Sequence, residues 1–191
     1  QDALTITDSD FSNVGNIEVV QLAYGMGSSI TLAGNAQAAG IESVLGGNGN
    51  DTIDVSAANS IYVFGRNGDD TIISGGNNDS LYGGNGNDEF RFGNGDELTS
   101  ADTVDGQFGT YDQITFTQDA LTITDSDFSN VGNIEIVSLA DGIGSTITLG
   151  SNATTGYGNI ASVYGGNGND TIDVSATNSI YVYGGNGDDT I

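Results

Sequence analysis

The chain of 191 residues contains no lysine, histidine, cysteine, proline or tryptophan. Each absence removes a class of chemistry. Without histidine there is no imidazole base and no zinc-protease motif; without cysteine, no thiol nucleophile, disulfide or thiolate metal site; without lysine, no Schiff base. The only basic residues, Arg66 and Arg91, stand against 26 acids and leave a formal charge of −24. Coulomb repulsion at that charge disfavours nucleic acid and anionic membrane as partners. No apolar run reaches the length of a membrane span. Paired carboxylates are the one catalytic device left, and here the acids fall inside repeated turns, so the expectation is that the chain is not an enzyme.

What the chain has is glycine, 31 residues, and short apolar blocks making up 36% of the sequence. So large a negative charge opposes compaction and is usual in solvated or disordered chains. The apolar blocks argue for a fold, and both facts are reconciled if cations neutralise the acids as the chain folds. Five related nonapeptides show where. Gly46, Gly47, Asn48, Gly49, Asn50 and Asp51 are followed by Thr52-Ile53-Asp54, and the same pattern starts at Gly65, Gly83, Gly165 and Gly184. Glycines at positions one, two and four allow positive φ and close backbone approach, and Asn at three and five tolerates the left-handed region. The expected product is a curled loop whose carbonyls converge, with the position-six Asp adding a carboxylate to an all-oxygen set suited to Ca²⁺. Positions seven to nine read as a short strand with its middle residue inward.

This nonapeptide, GGxGxD followed by x-apolar-x, resembles the haemolysin-type calcium-binding repeat of RTX proteins. The resemblance implies an all-β fold, a right-handed parallel β-roll or β-solenoid with calcium-binding turns. It implies that each Ca²⁺ lies between two loops one coil apart, held by backbone carbonyls of positions one to four and by both position-six aspartates. Carried onto this chain, Asp51 and Asp70 share an ion, as do Asp70 and Asp88, and Asp170 and Asp189. The loop residues are Gly46, Gly47, Asn48 and Gly49; Gly65, Asn67 and Gly68; Gly83, Gly84, Asn85 and Gly86; Gly165, Gly166, Asn167 and Gly168; and Gly184, Gly185, Asn186 and Gly187. Asp79 and Asp112 are further candidates in loops that depart from the pattern. Arg66 replaces a glycine, so its side chain must turn outward.

A longer repeat overlies the short one. Gln1 to Glu18 recurs without change as Gln118 to Glu135, an offset of 117 residues or thirteen nonapeptides. One unit thus divides into a motif-poor β segment, 1–45, and a motif-bearing segment, 46–117. The second unit divides into 118–164 and 165–191, with two residues inserted around Thr155 to Gly158. Motif starts at Gly46, Gly65 and Gly83 lie 19 and 18 apart, so two strands complete one coil and Ile53, Ile72 and Phe90 stack. One edge is then rich in calcium loops and the other, with Ser56 to Ser60 and the short loop at Gly75, is poor. Asp8, Asp10, Glu18 and their copies Asp125, Asp127 and Glu135 read as Asx caps rather than a cation site, since the segment lacks the glycine and final acid of an EF-hand. Tyr62, Phe64, Tyr181 and Tyr183 read as strand packing rather than a sugar platform.

The chain starts in mid-pattern and reads as a window onto a longer tandem array. The function expected is a calcium-stabilised structural repeat of a secreted bacterial surface protein, of the surface-layer, adhesin or filament type, with more repeats of its own chain as partners. The alternatives are a polysaccharide- or ice-binding module, or the calcium-binding end of a secreted toxin or enzyme.

Overall fold

A computed structural model describes residues 3–94, 96–154, 159–177 and 179–191. The expected insertion at Thr155 to Gly158 lies outside the described residues. In chain order the strands of the first unit are β1 Thr5–Ile6, β2 Val19–Gln21, β3 Ser29–Thr31, β4 Ser43–Leu45, β5 Thr52–Asp54, β6 Tyr62–Asn67, β7 Thr71–Ser74, β8 Ser80–Asn85, β9 Glu89–Phe92, β10 Thr103–Phe108 and β11 Gln113–Phe116. Those of the second are β12 Thr122–Ile123, β13 Val131–Gly132, β14 Ile136–Ser138, β15 Thr146–Thr148, β16 Ser162–Tyr164, β17 Thr171–Asp173 and β18 Tyr181–Tyr183. Helical structure is confined to two 3-10 turns, Asp8–Phe11 and Asp125–Phe128, and to α1 Gly34–Ala39 and α2 Ser151–Thr154.

Successive strands alternate between sheets. The odd strands β1 to β11 are joined by β14, β16 and β18 in a nine-stranded sheet; β2, β4, β6, β8, β10 and β13 form a six-stranded sheet. All pairings among these strands are parallel, as between Thr52 and Thr71 and between Thr71 and Glu89. The chain is therefore a parallel β-solenoid with two strands per coil over the motif-bearing segment. Coils of 18 and 19 residues between Thr52 and Glu89 give way to longer ones elsewhere, such as Thr5 to Ser29, Glu89 to Gln113 and Gln113 to Ile136. In the motif-poor segments the extra residues form the helical turns. Strands from the motif-poor and motif-bearing segments lie side by side in the same sheets.

Each short strand turns its middle residue inward, as period-two geometry requires. Ile30, Ile53, Ile72, Phe90, Ile114, Val137 and Val163 stack along the nine-stranded sheet and Val44, Val63, Leu81 and Val104 along the facing one, all inaccessible to solvent or nearly so. Ile53 lies opposite Ile72, and Ile72 opposite Phe90, as the motif spacing predicts. Such a ladder is stable only as a stack, because each coil covers the apolar edge of the next. Along β2 and its flanking residues the inward side chains are Val20 and Leu22, while Ile17 and Val19 face out.

The second unit does not repeat the placement of the first. Its β14, β16 and β18 correspond in sequence to β2, β4 and β6 of the six-stranded sheet, yet they extend the nine-stranded one. The counterparts of β1, β3 and β5, namely β12, β15 and β17, form a separate three-stranded sheet. Each unit spans an odd number of half-coils, so identical sequence returns on the other face.

Candidate metal centre

We distinguish two edges of the solenoid. On the return edge the chain runs back into the nine-stranded sheet; on the outbound edge it leaves that sheet. The loops Gly46–Asp51, Gly65–Asp70 and Gly83–Asp88 lie stacked on the return edge. Gly165–Asp170 and Gly184–Asp189 lie on the outbound edge, because of the half-coil shift.

The position-six aspartates form a ladder. Each gives its Oδ1 to a backbone N–H one coil earlier: Asp51 accepts from Ser28 at 2.6 Å, Asp70 from Asp51 at 2.7 Å, Asp88 from Asp70 at 2.8 Å and Asp112 from Asp88 at 2.7 Å. The row ends where Glu135 Oε2 accepts from Asp112 N–H at 2.9 Å. In the second unit Asp170 accepts from Ser145 and Asp189 from Asp170. The ladder fixes each carboxylate and leaves its second oxygen pointing into its own loop. Those of Asp70, Asp88, Asp112 and Asp170 are buried with no hydrogen-bond partner. Asp51 Oδ2 accepts from Gly47 N–H at 2.7 Å.

Buried carboxylates without a partner are costly. Burial, partly offset by the hydrogen bond from Asp51, pushes the Asp70 carboxyl up to about 8, and the charges of Asp88 and Asp51 add to the rise. Burial likewise raises Asp88 to about 7 and Asp112 to about 6, with neighbouring acids contributing. Asp170 is raised by the same causes. The groups thus favour a proton or a metal cation.

The glycines shape the cradle around these oxygens. A methyl group on Gly65 or Gly83 would collide with the carboxylate of Asp70 or Asp88, and one on Gly46 would strike the carbonyl of Gly65. Position-one glycine therefore serves close approach and not positive φ. The left-handed residues are at positions two and four, among them Gly84, Gly86, Gly166, Gly168, Gly185 and Gly187. Asn at positions three and five does not take the left-handed conformation that its type suggests. Instead its amide links coils: Asn67 donates to Asn48, Asn85 to Asn67 and Asn186 to Asn167. Arg66 does adopt φ 82 and lies over the Tyr24 ring, donating to its hydroxyl at 2.8 Å.

Asp79, a candidate in a loop that departs from the pattern, differs from Asp70, Asp88, Asp112 and Asp170 in having a hydroxyl at its second oxygen. Its Oδ1 accepts from Ile61 N–H at 3.0 Å and its Oδ2 from the Ser74 hydroxyl at 2.6 Å. Its own N–H goes to Asp102, whose other oxygen is held by Thr99. Asp8 caps α1 through the N–H groups of Ala33, Asn35 and Ala36, and Asp125 does the same for α2. That is the Asx-cap role expected of Asp8 and Asp125; Glu135 instead closes the ladder. Asp54 turns to Ser56 and Asp173 to Ser175.

Among the described residues no three carboxylates converge on one point. A cation here would be held by backbone carbonyls plus one or two carboxylate oxygens, a hard-oxygen set that suits Ca²⁺. Fold and site together define a parallel β-solenoid with cation-binding turns. The RTX calcium-binding nonapeptide repeat matches the chain in four copies, at residues 38–59, 64–96, 162–179 and 181–191. The chain thus carries RTX repeats, and this repeat binds calcium. No curated protein and no solved structure matches it. Ser28, Ser145, Asp102 and Glu135 have ladder roles that the motif alone does not disclose.

Proposed function

We propose that this chain is a calcium-stabilised structural segment of an extracellular bacterial protein of the surface-layer, adhesin or filament type, with no catalytic role of its own. RTX repeats are typical of secreted bacterial proteins, and no helix among the described residues is long and apolar enough to cross a membrane. The observation that carries the reading is that the 117-residue unit continues into its copy without a break, β11 pairing with β14 and β10 with β13 across the boundary. The ligands are the position-six aspartates Asp51, Asp70, Asp88, Asp170 and Asp189, with carbonyls of their loops. When bound, Ca²⁺ supplies positive charge that neutralises the carboxylates and ties one coil to the next. The aspartate ladder holds each oxygen in place beforehand, and the asparagine ladders set the spacing.

Small-angle scattering on polypeptides of two, four and six units in millimolar calcium tests this. The expected length grows in proportion to unit number. A globular radius that barely increases would overturn the structural reading. A polysaccharide-binding face has one observation behind it, the exposed tyrosines Tyr181 and Tyr183, whose ring centroids lie 6.4 and 6.3 Å from that of Tyr164. Retention on polysaccharide resin at saturating calcium would favour it.

A further inference from the structure

We propose that the loop Gly106–Asp112, where one 117-residue unit meets the next, forms a further Ca²⁺ site in which the Asp112 carboxylate and loop carbonyls are joined by Asn133 and Glu135 of the coil above. The proposal rests on reading the neighbouring loops as calcium sites. It extends that reading to a segment that none of the matched repeats covers, since these end at residue 96 and resume at 162. The sequence Gly106-Gln107-Phe108-Gly109-Thr110-Tyr111-Asp112 has lost the position-two glycine and the position-three asparagine and gained one residue before its acid.

The backbone nevertheless keeps the curl of a motif loop. Gln107 lies opposite Gly84, and Phe108 opposite Asn85. Gln107 holds φ 69, in the left-handed region that Gly84 occupies at 120. A glutamine resists that conformation by about 1 kcal/mol, so packing of the loop on its neighbour imposes it. Gly106 and Gly109 survive at the two points where a side chain would strike the Asp112 carboxylate; the same methyls would meet the carbonyls of Asn133 and Gly86. Oxygens of three successive coils are thereby gathered around one point.

The second, independent observation is Asp112 itself. It is 1% exposed, its Oδ1 is committed to Asp88 N–H, and its Oδ2 is buried in this cradle without a partner. Asp88 Oδ2 is in the same condition. Glu135, from the second unit, brings another carboxylate to the loop through its bond to Asp112 N–H. Arg91 is paired with Glu89 and Arg66 with Tyr24, so a cation from solution is the remaining source of compensating charge. A carbonyl-rich cradle formed by loops of unequal length suits the variable coordination of Ca²⁺ better than the strict octahedron of Mg²⁺.

The test is a count of bound Ca²⁺ per chain, by native mass spectrometry and equilibrium dialysis, on the full chain and on Asp112→Asn. Asparagine keeps the Oδ1 acceptor for Asp88 and directs an amide donor toward the carbonyls, so the variant should keep its β circular dichroism at saturating calcium. The expected result is at least one ion fewer, with Asp54→Asn unchanged as control. Should Asp112→Asn fail to fold, Glu135→Gln is expected to weaken one class of site about tenfold through the lost ligand charge. Wild-type counts in Asp112→Asn, or wild-type affinities in Glu135→Gln, would overturn the junction site and leave the other loops standing. A wild-type chain that binds no calcium would overturn both readings together.

Discussion

The return and outbound edges of the first unit solve the same problem with different materials. On the return edge Asp70, Asp88 and Asp112 each keep a buried oxygen with no protein donor. On the outbound edge Asp79 is in the equivalent position, just before a strand, but Ser74 and Ile61 occupy both its oxygens. Asp102 is held by Thr99 and Asp79, and Asp8 by the amides of α1. Glu97 collects the amides of Gly93 and Asn94 and the side chain of Asn94. Side chains and helix ends close the outbound edge, whereas the return edge keeps three buried carboxylate oxygens that no protein donor reaches. The lesson is that an aspartate before a strand clamps the preceding coil in either case, and that a neighbouring hydroxyl decides whether its second oxygen is left without a donor.

Removing calcium should break the contrast most visibly. Extracellular sites at tenfold saturation each contribute about 1.4 kcal/mol, and several together approach the whole stability of a domain, about 5–15 kcal/mol. We expect loss of β circular dichroism in chelator and its return in millimolar Ca²⁺; identical spectra would remove the distinction between the edges. Acid should partly replace the metal. The ion-free fold keeps protons on Asp70, Asp88 and Asp112 that the unfolded chain releases above about 3.8, so it binds more protons than the unfolded state between that pH and about 8. Its stability is therefore complete below about pH 4 and declines as pH rises toward 8. A chelated sample that gains no β-structure on acidification would contradict this.

Single substitutions sharpen the comparison. Asp70→Ala, at two shared ions, should cost about 3 kcal/mol in calcium and shift the calcium midpoint upward. Asp79→Ala should cost about 1–3 kcal/mol for the donors it leaves unpaired and leave the midpoint per site where it was. Calcium titrations followed by urea melts separate the two, and equal midpoint shifts would mean that both edges bind metal. The smallest effect is at Gln107. Glycine there relieves the left-handed strain, with an expected gain of up to about 1 kcal/mol in a urea melt; a loss would show that the side chain is needed.

The stacking of Ile53, Ile72 and Phe90 and the coil of 18 or 19 residues follow directly from the spacing of the motifs, because a side-chain period of two and a fixed loop leave one register. Arg66 had to leave the loop interior, and it does. Other features are hidden by chemistry that takes several forms. Asp102-Thr103-Val104, Ser28-Ser29-Ile30 and Ser145-Thr146-Ile147 share with Asp51-Thr52-Ile53 the order of acceptor, polar, apolar. That order, and not the glycines, marks a ladder position. Asparagine at positions three and five misleads because its tolerance of positive φ is a property of the residue, while its amide ladder exists only once coils are stacked. Asp79 could not be told from Asp51 until Ser74, five residues earlier, was seen to reach it.

The half-coil shift between units has a mechanical meaning. A rod bound by ions along one side alone resists compression and extension unequally on its two sides, and it bows when the ionic side tightens. Here the loops of the first unit lie on one edge and those of the second, at Asp170 and Asp189, on the other. With calcium bound as proposed, tightening in one unit opposes tightening in its neighbour, and the bending moments of such a pair act against each other.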